Sequence, residues 1–277
     1  MTLDQLPPLR DTLAEHGLLA KKSFGQHFLL DLNITRKIAR LAEVGEGDHV
    51  IEVGPGPGGL TRALLETGAK VTAIEADPRF APLLEELSVA SNGALIVRLE
   101  DALTTDEAAV AAGAPAHIVS NLPYNVGTPL LIKWLTRPFT PASMTLMFQK
   151  EVADRVAAEP GSDAYGRLSV IAQATSHTAV VMDVPARAFT PPPKVASAVA
   201  RLTPRADRPE PARLDALQVI TAAAFGQRRK MLRSSLKALG GAALCEAAGL
   251  APEARAETID IPGFLALADA WRAGSSG

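Results

Sequence analysis

The fold is decided at residues 50–59, Val-Ile-Glu-Val-Gly-Pro-Gly-Pro-Gly-Gly. Val50, Ile51 and Val53 make a short apolar run that predicts a buried strand. Gly54, Gly56, Gly58 and Gly59 follow at once, and residues 60–65, Leu-Thr-Arg-Ala-Leu-Leu, carry a helical pattern. Strand, glycine turn and helix let a nucleotide-like ligand lie against bare backbone. Glycine serves where a side chain would strike the ligand or where φ must be positive. The spacing is Glu-x-Gly-x-Gly-x-Gly, not the dinucleotide Gly-x-Gly-x-x-Gly, with an acid inside the strand and no base in the turn. A pyrophosphate fits this turn less well than a neutral or cationic adenosine ligand such as S-adenosylmethionine. The plain alternative is a tight strand–helix turn that holds nothing.

Downstream, residues 70–74 form a second strand that ends at Glu75, 17 residues beyond Gly58. An acid at that place in a nucleotide-binding α/β fold can accept hydrogen bonds from both ribose hydroxyls. Asp77-Pro78 then starts a helix, with Asp77 as cap and Pro78 at its first position. Residues 94–99 form a third strand with Asp101 at its carboxyl end, where a carboxylate can accept from an adenine amine. Residues 116–120 form a fourth, running into Asn121-Leu122-Pro123-Tyr124. Pro123 holds Leu122 extended and cannot itself donate. The Asn121 amide oxygen and the Leu122 carbonyl are thereby fixed as two acceptors beside the Tyr124 ring. Two acceptors and a stacking face suit an amino group on a planar heterocycle.

Strands over 143–148, 178–184 and 195–202 complete the pattern, with helices starting at 149 and 167. The last two strands lack a long helix between them, which predicts an antiparallel end to an otherwise parallel sheet. Between them lies Phe189-Thr190-Pro191-Pro192-Pro193-Lys194, read as extended, with Phe189 projecting. Residues 204–211 read as a linker. Helices are expected at 214–225, 230–239, 242–248 and 264–272. Over 225–236, Phe225, Met231, Leu232 and Leu236 take the core side of a helix, leaving the bases free for phosphates. At the other end, residues 9–19 suggest a leading helix. Asp31 or Asn33 caps the helix through Ile34, Ile38 and Leu41. The donor-rich loop 21–31 carries Gln26, His27 and Phe28, which can fold over a ligand; alone, His27 reads equally as a packing histidine.

Composition sets the bounds. Of 277 residues, 47% are apolar, ample for a packed core. The lone cysteine, Cys245, excludes an internal disulfide and a cysteine metal cluster and reads as a buried thiol. Residues 1–20 do not form a signal peptide, and no apolar run is long enough to span a bilayer. A soluble cytoplasmic protein, a monomer with no metal, is expected. The net charge of −2 hides segregation. Residues 43–117 hold thirteen acids and four bases, while 187–237 hold eleven bases and three acids. Such separation suits a local polyanion footprint, or simply a solvated basic face.

Together these segments resemble the rRNA adenine N6,N6-dimethyltransferase (KsgA/RsmA-like) family. The resemblance covers roughly residues 21–239. It rests on FGQHFL at 24–29, EVGPGPGGLT at 52–61, Glu75, EDAL at 100–103, NLPYN at 121–125, FTPPPKVASAV at 189–199 and FGQRRKMLRSSL at 225–236. His27 stands where the family often has asparagine.

The resemblance implies a class I (Rossmann-like) methyltransferase domain with a seven-stranded, mostly parallel sheet over 1–204. It implies a small helical RNA-binding domain over 205–277. Gln26, His27, Leu29, Gly54, Gly56, Gly58, Glu75, Asp101 and Asn121 would hold S-adenosyl-L-methionine. Asn121, Leu122, Tyr124 and Phe189 would serve the target base, and Arg228, Arg229, Lys230 and Arg233 the RNA. The implied reaction is dimethylation of two adjacent adenosines in the 3′-terminal hairpin loop of 16S rRNA, late in 30S assembly. Loss of such an enzyme would confer kasugamycin resistance. Three other readings compete. An erythromycin-resistance-type methylase of large-subunit rRNA shares the cofactor and NLPY-like motifs but lacks the RRK segment. An assembly checkpoint would bind immature 30S with methylation secondary. An NAD oxidoreductase is disfavoured by the turn spacing.

Overall fold

The computed structural model describes residues 2–18, 27–227 and 229–275. Gln26, Arg228 and residues 21–26 of the donor-rich loop lie outside them. Helix α1 (Leu9–Glu15) leads to strand β1 (Phe28–Leu29) and helix α2 (Leu32–Ala42). Strands and helices then alternate through β2 (His49–Val53), α3 (Gly59–Leu65), β3 (Lys70–Glu75), α4 (Ala81–Ala90), β4 (Leu95–Leu99) and α5 (Glu107–Ala111). The alternation continues through β5 (Ala116–Asn121), α6 (Gly127–Thr136), β6 (Ser143–Gln149) and α7 (Lys150–Val156). After α8 (Arg167–Thr175) come β7 (Ser176–Val184), β8 (Phe189–Thr190) and β9 (Ser197–Pro204). Helices α9 (Pro211–Phe225), α10 (Leu232–Ser235), α11 (Gly241–Ala247) and α12 (Ile261–Ser275) follow.

Seven strands form one mixed, mostly parallel sheet in the order β4-β3-β2-β5-β6-β9-β7. A helix between successive strands returns the chain to the same end, so β2 runs parallel to β3 and β5, β3 to β4, and β5 to β6. Central parallel strands are covered on both faces, which is why β2 and β6 are buried along nearly their whole length, polar residues included. At the edge, β4 leaves Ile96 and Leu99 exposed. The strand order reverses between β2 and β5. Open α/β sheets bind ligands at such a reversal, outside the carboxyl ends of the strands.

Local signals behave as their chemistry requires. Asp31 caps α2 by accepting from the Asn33 amide at 2.9 Å, and Thr35, Ile38, Ala39 and Ala42 turn one stripe inward. Asp77 caps a short 3₁₀ turn, Pro78–Phe80, that leads into α4. Among the described residues no helix is long and apolar enough to cross a membrane.

The chain divides into two compact units, 1–130 with 141–153 and 180–201, and 131–140 with 154–179 and 202–277. The first has a core around Ile38, Val50, Leu64, Val71, Val119 and Met147. The second gathers Tyr165, Val170 and Ala174 with Leu217, Ile220, Leu232, Cys245 and Phe264. Cys245 is fully buried.

Two features depart from the sequence pattern. Helix α6, with its buried Trp134, had no distinct signal. The helix expected over 230–239 is broken. Helix α9 stops at Phe225, the chain turns through a Lys230 N–H to Gln227 carbonyl bond of 2.9 Å, and Met231 is extended and 40% exposed. Gly226 is a poor helix residue, and the Leu232 and Arg233 amides are drawn to the carbonyls of Ala254 and Pro252. Leu232 and Leu236 are still buried, from a short α10 and the turn after it, and Phe225 stacks on Phe264 at 5.5 Å.

Candidate active site

The two strands that flank the reversal deliver the two strongest motifs to one place. The Gly54–Gly59 turn leaves β2 and residues 121–125 leave β5; together they line a cavity of about 490 Å³. That volume lies within the range of small-molecule sites, roughly 300–1,000 Å³. His27, Phe28, Leu29, Thr35, Glu75, Asp77, Phe80 and Phe189 complete the lining, with Phe28 edge-on to Phe80 at 5.7 Å.

Gly56 has φ +54°, and its amide donates to Glu75 Oε2 at 3.0 Å. The Asp77 amide donates to Glu75 Oε1 at 2.8 Å. Glu75 is buried, which pushes its carboxyl up, and these amides pull it back. Each Glu75 oxygen keeps a lone pair beyond the one its amide takes.

A two-stranded pairing closes the cavity. Strand β1 runs antiparallel to β8, with Phe28 opposite Thr190 and Leu29 opposite Phe189. Phe189 is buried in the first unit's core and lines the cavity. The Thr190–Pro191 bond is cis, and His27 Nδ1–H donates to the Pro191 carbonyl at 2.7 Å. The His27 ring lies 6.2 Å from that of Tyr124. The Tyr124 hydroxyl is bonded to Ser197 Oγ at 2.9 Å, so the ring is held at both ends of its side chain. Leu122 is buried, and its amide donates to the Met147 carbonyl at 3.3 Å.

Of the expected site residues, His27, Leu29, Gly54, Gly56, Glu75, Asn121, Leu122, Tyr124 and Phe189 come together in this cavity. Gly58 lies off its wall; φ is +83°, and a Cβ there would sit 2.9 Å from Leu87, so packing alone demands glycine. Asp101 is exposed, and its Oδ1 accepts from the Leu103 amide at 2.9 Å. In the second unit Arg229 and Lys230 are exposed, and Arg233 is paired with Glu253 at 3.2 Å.

Glu52 is the lining residue whose part the motif alone did not reveal. It is 1% exposed, and its Oε2 has no hydrogen-bond partner. Burial pushes its carboxyl up to about 8, with Glu75 adding to the rise. The Thr61 hydroxyl opposes this without closing a well-formed hydrogen bond.

The fit of a cofactor can be judged from these atoms. Bare glycine backbone, a half-satisfied acid at the end of β3 and an orphaned carboxyl oxygen match an adenosine ligand that carries positive charge. Residues 17–271 match the model of the family described as ribosomal RNA adenine dimethylase.

The chain belongs to the ribosomal RNA adenine dimethylase family. Membership carries the activity for which the family is named, dimethylation of adenine in ribosomal RNA. One relative, ribosomal RNA small subunit methyltransferase A of Phenylobacterium zucineum (strain HLK1), is 74% identical over 273 residues, covering 99% of this chain and 95% of its own. Among solved structures, a dimethyladenosine transferase from Plasmodium falciparum is 26% identical with a TM-score of 0.72, over 87% of this chain and 96% of that one. The 23S rRNA methyltransferase ErmE is 29% identical with a TM-score of 0.67, over 88% of this chain and 99% of that one. The family fold is thus shared with a methylase of the other ribosomal subunit's RNA, and the fold alone does not choose the substrate.

Proposed function

We propose that this protein transfers methyl groups from S-adenosyl-L-methionine to N6 of two adjacent adenosines in the 3′-terminal hairpin loop of 16S rRNA. It acts as a cytoplasmic monomer on a 30S particle late in assembly. The observation that carries the reading is the cavity at the strand reversal, with a nucleoside-type wall from β2 and β3 and an amine-accepting wall from β5. The choice of small-subunit RNA is supported by the relative at 74% identity.

When bound, the cofactor supplies an electrophilic methyl group on a sulfonium. Gly54 and Gly56, with Gly58 behind them, present backbone to it. Glu75 holds the ribose hydroxyls, Asp101 the adenine amine, and Gln26, His27 and Leu29 the methionine part. The target adenosine leaves its stack to enter the cavity, as base-modifying enzymes require. Tyr124 stacks on it, with Phe189 on the other side; such stacking is worth roughly 1–3 kcal/mol per base. The N6 lone pair is delocalised into the ring and is a poor nucleophile. Asn121 Oδ1 and the Leu122 carbonyl accept hydrogen bonds from its N–H groups and favour a pyramidal nitrogen with its lone pair directed outward. The nitrogen becomes acidic as the new N–C bond forms and gives up one proton to solvent per methyl added. Orientation and fixed dipoles then lower the barrier. These tasks fall to residues 1–204. Residues 205–277 hold the RNA backbone through Arg228, Arg229, Lys230 and Arg233.

The deciding experiment is transfer from labelled S-adenosylmethionine to unmethylated 30S particles, read at nucleotide resolution. Dimethylation of two neighbouring adenosines near the 3′ end is expected. Transfer to 23S rRNA instead would move the substrate to the other subunit. Asn121→Ala should cut turnover by about 10²-fold or more while cofactor affinity changes little; an equal loss of both would end the role given to Asn121.

A further inference from the structure

Glu52 sits on β2 two residues before the glycine turn, inside the sheet rather than at its rim, yet it lines the cavity. One of its oxygens has no partner. A buried carboxylate normally finds a cation or several donors. Among the described residues no cation is paired with Glu52, and the donors on the wall, the amides of Asn121 and Asn125 among them, leave its Oε2 without a hydrogen bond. From β3 and the turn after it come two more acids, Glu75 and Asp77. From α3 and α2 come only the hydroxyls of Thr61 and Thr35. From the loops come His27, whose Nδ1–H is given to the Pro191 carbonyl, and Tyr124, whose hydroxyl is bonded to Ser197. Arg62, also on α3, is buried but donates to the Pro7 carbonyl at 2.7 Å. The described cavity wall therefore carries three carboxyls and, apart from His27, no base.

We infer that Glu52 holds a proton while the cavity is empty and releases it to solvent when a cationic group of the ligand enters, so that binding is linked to proton release and selects for positive charge. This rests on the cofactor reading above. The rise of the group to about 8 agrees with the geometry, since burial and Glu75 both favour the neutral acid. The carboxylate that replaces it supplies the cation's counter-charge in a low-dielectric site, where a pair interacts strongly. S-adenosylmethionine offers two cations, a sulfonium and an α-ammonium.

The test is calorimetric titration of the full chain with S-adenosylmethionine at about pH 6.5, in two buffers of different ionisation heat. The wild type should release close to one proton per ligand, and Glu52→Gln none. Affinity should rise about tenfold per pH unit between about pH 6 and 7 in the wild type. Titration with S-adenosylhomocysteine, which lacks the sulfonium, separates the sources. Release retained assigns the α-ammonium, and release lost assigns the sulfonium. Binding with the same heat in both buffers overturns the inference while the cofactor reading stands. No binding of S-adenosylmethionine to the wild type in either buffer removes the cofactor reading and the inference with it.

Discussion

At Glu52 the cost of burial falls on the charged form, and this makes stability depend on pH. Its carboxyl is raised from an ordinary value near 4.5 to about 8 in the folded chain. Between those values the native state binds more protons than the unfolded chain. The contribution is therefore full below about 4.5 and lost as pH rises through about 8. Denaturation of wild type and Glu52→Gln should show the wild type losing ground across that window, on the order of 2–4 kcal/mol by about pH 8.5. A constant difference between them would mean that Glu52 does not titrate there. Tyr124 is a second test at this scale. Tyr124→Phe keeps the stacking face but breaks the bond to Ser197, which should lower stability by roughly 0.5–1.5 kcal/mol. Turnover with RNA should fall more than cofactor affinity, as read by kcat beside a binding titration. The place of Glu75 and residues 121–124 on the cavity wall was legible because each sits at a strand end. Ser197 was not, because its use depends on a partner 73 positions away. The environment of Glu52 depends on what surrounds β2 in space, which its motif does not encode.

The β1–β8 pair is the element with the weakest sequence signal and a direct place on the cavity wall. Each strand is two residues long, and about 160 residues separate them. Neither shows alternation, so no periodicity announces the pairing. The capped helices and the long apolar strands were readable for the opposite reason, since their signals are local. Helix α6 escaped because Gly127 and Pro129 at its start resemble a turn. The shortening of the helix expected over 230–239 and the exposure of Met231 escaped because Met231, Leu232 and Leu236 fall at helical spacing, although Met231 is extended and lies before α10. Gly59 joins α3 to β1. A Cβ there would lie 2.8 Å from the Leu29 carbonyl oxygen and 3.2 Å from Leu9. Gly59→Ala must push β1 off α3, costing roughly 1–3 kcal/mol. Because Phe28 and Leu29 line the cavity, cofactor affinity should fall as well. Unchanged thermal stability and affinity would show that β1 yields freely.

For the whole molecule, charge and connectivity make separate predictions. Arg229 and Lys230 are exposed in the second unit, whereas Arg233 already faces Glu253. Replacing Arg229 and Lys230 with glutamine should make the salt dependence of RNA affinity shallower by about 1–2 in log–log slope; an unaltered slope would place the footprint elsewhere. Residues 204–211 read as a linker in composition, but 202–277 form one compact unit with 131–140 and 154–179, and that sharing of a core is not legible in the sequence. Tyr165, Val170 and Ala174 lie before the linker and are covered by Leu217, Ile220 and Phe264 after it. A chain ended at residue 204 should therefore bind a hydrophobic dye and aggregate, and a monodisperse, dye-free fragment would contradict this. The chain passes between its two units at 130/131, 140/141, 153/154, 179/180 and 201/202. On the ribosome, the described cavity wall has been synthesised once Phe189 has been added, while the cover for Tyr165 is still unmade. At 5–20 residues per second, the stretch from there to Phe264 takes roughly 4–15 s to translate. For that interval every nascent copy carries an open apolar face, which makes it a client for a chaperone that holds unfinished chains.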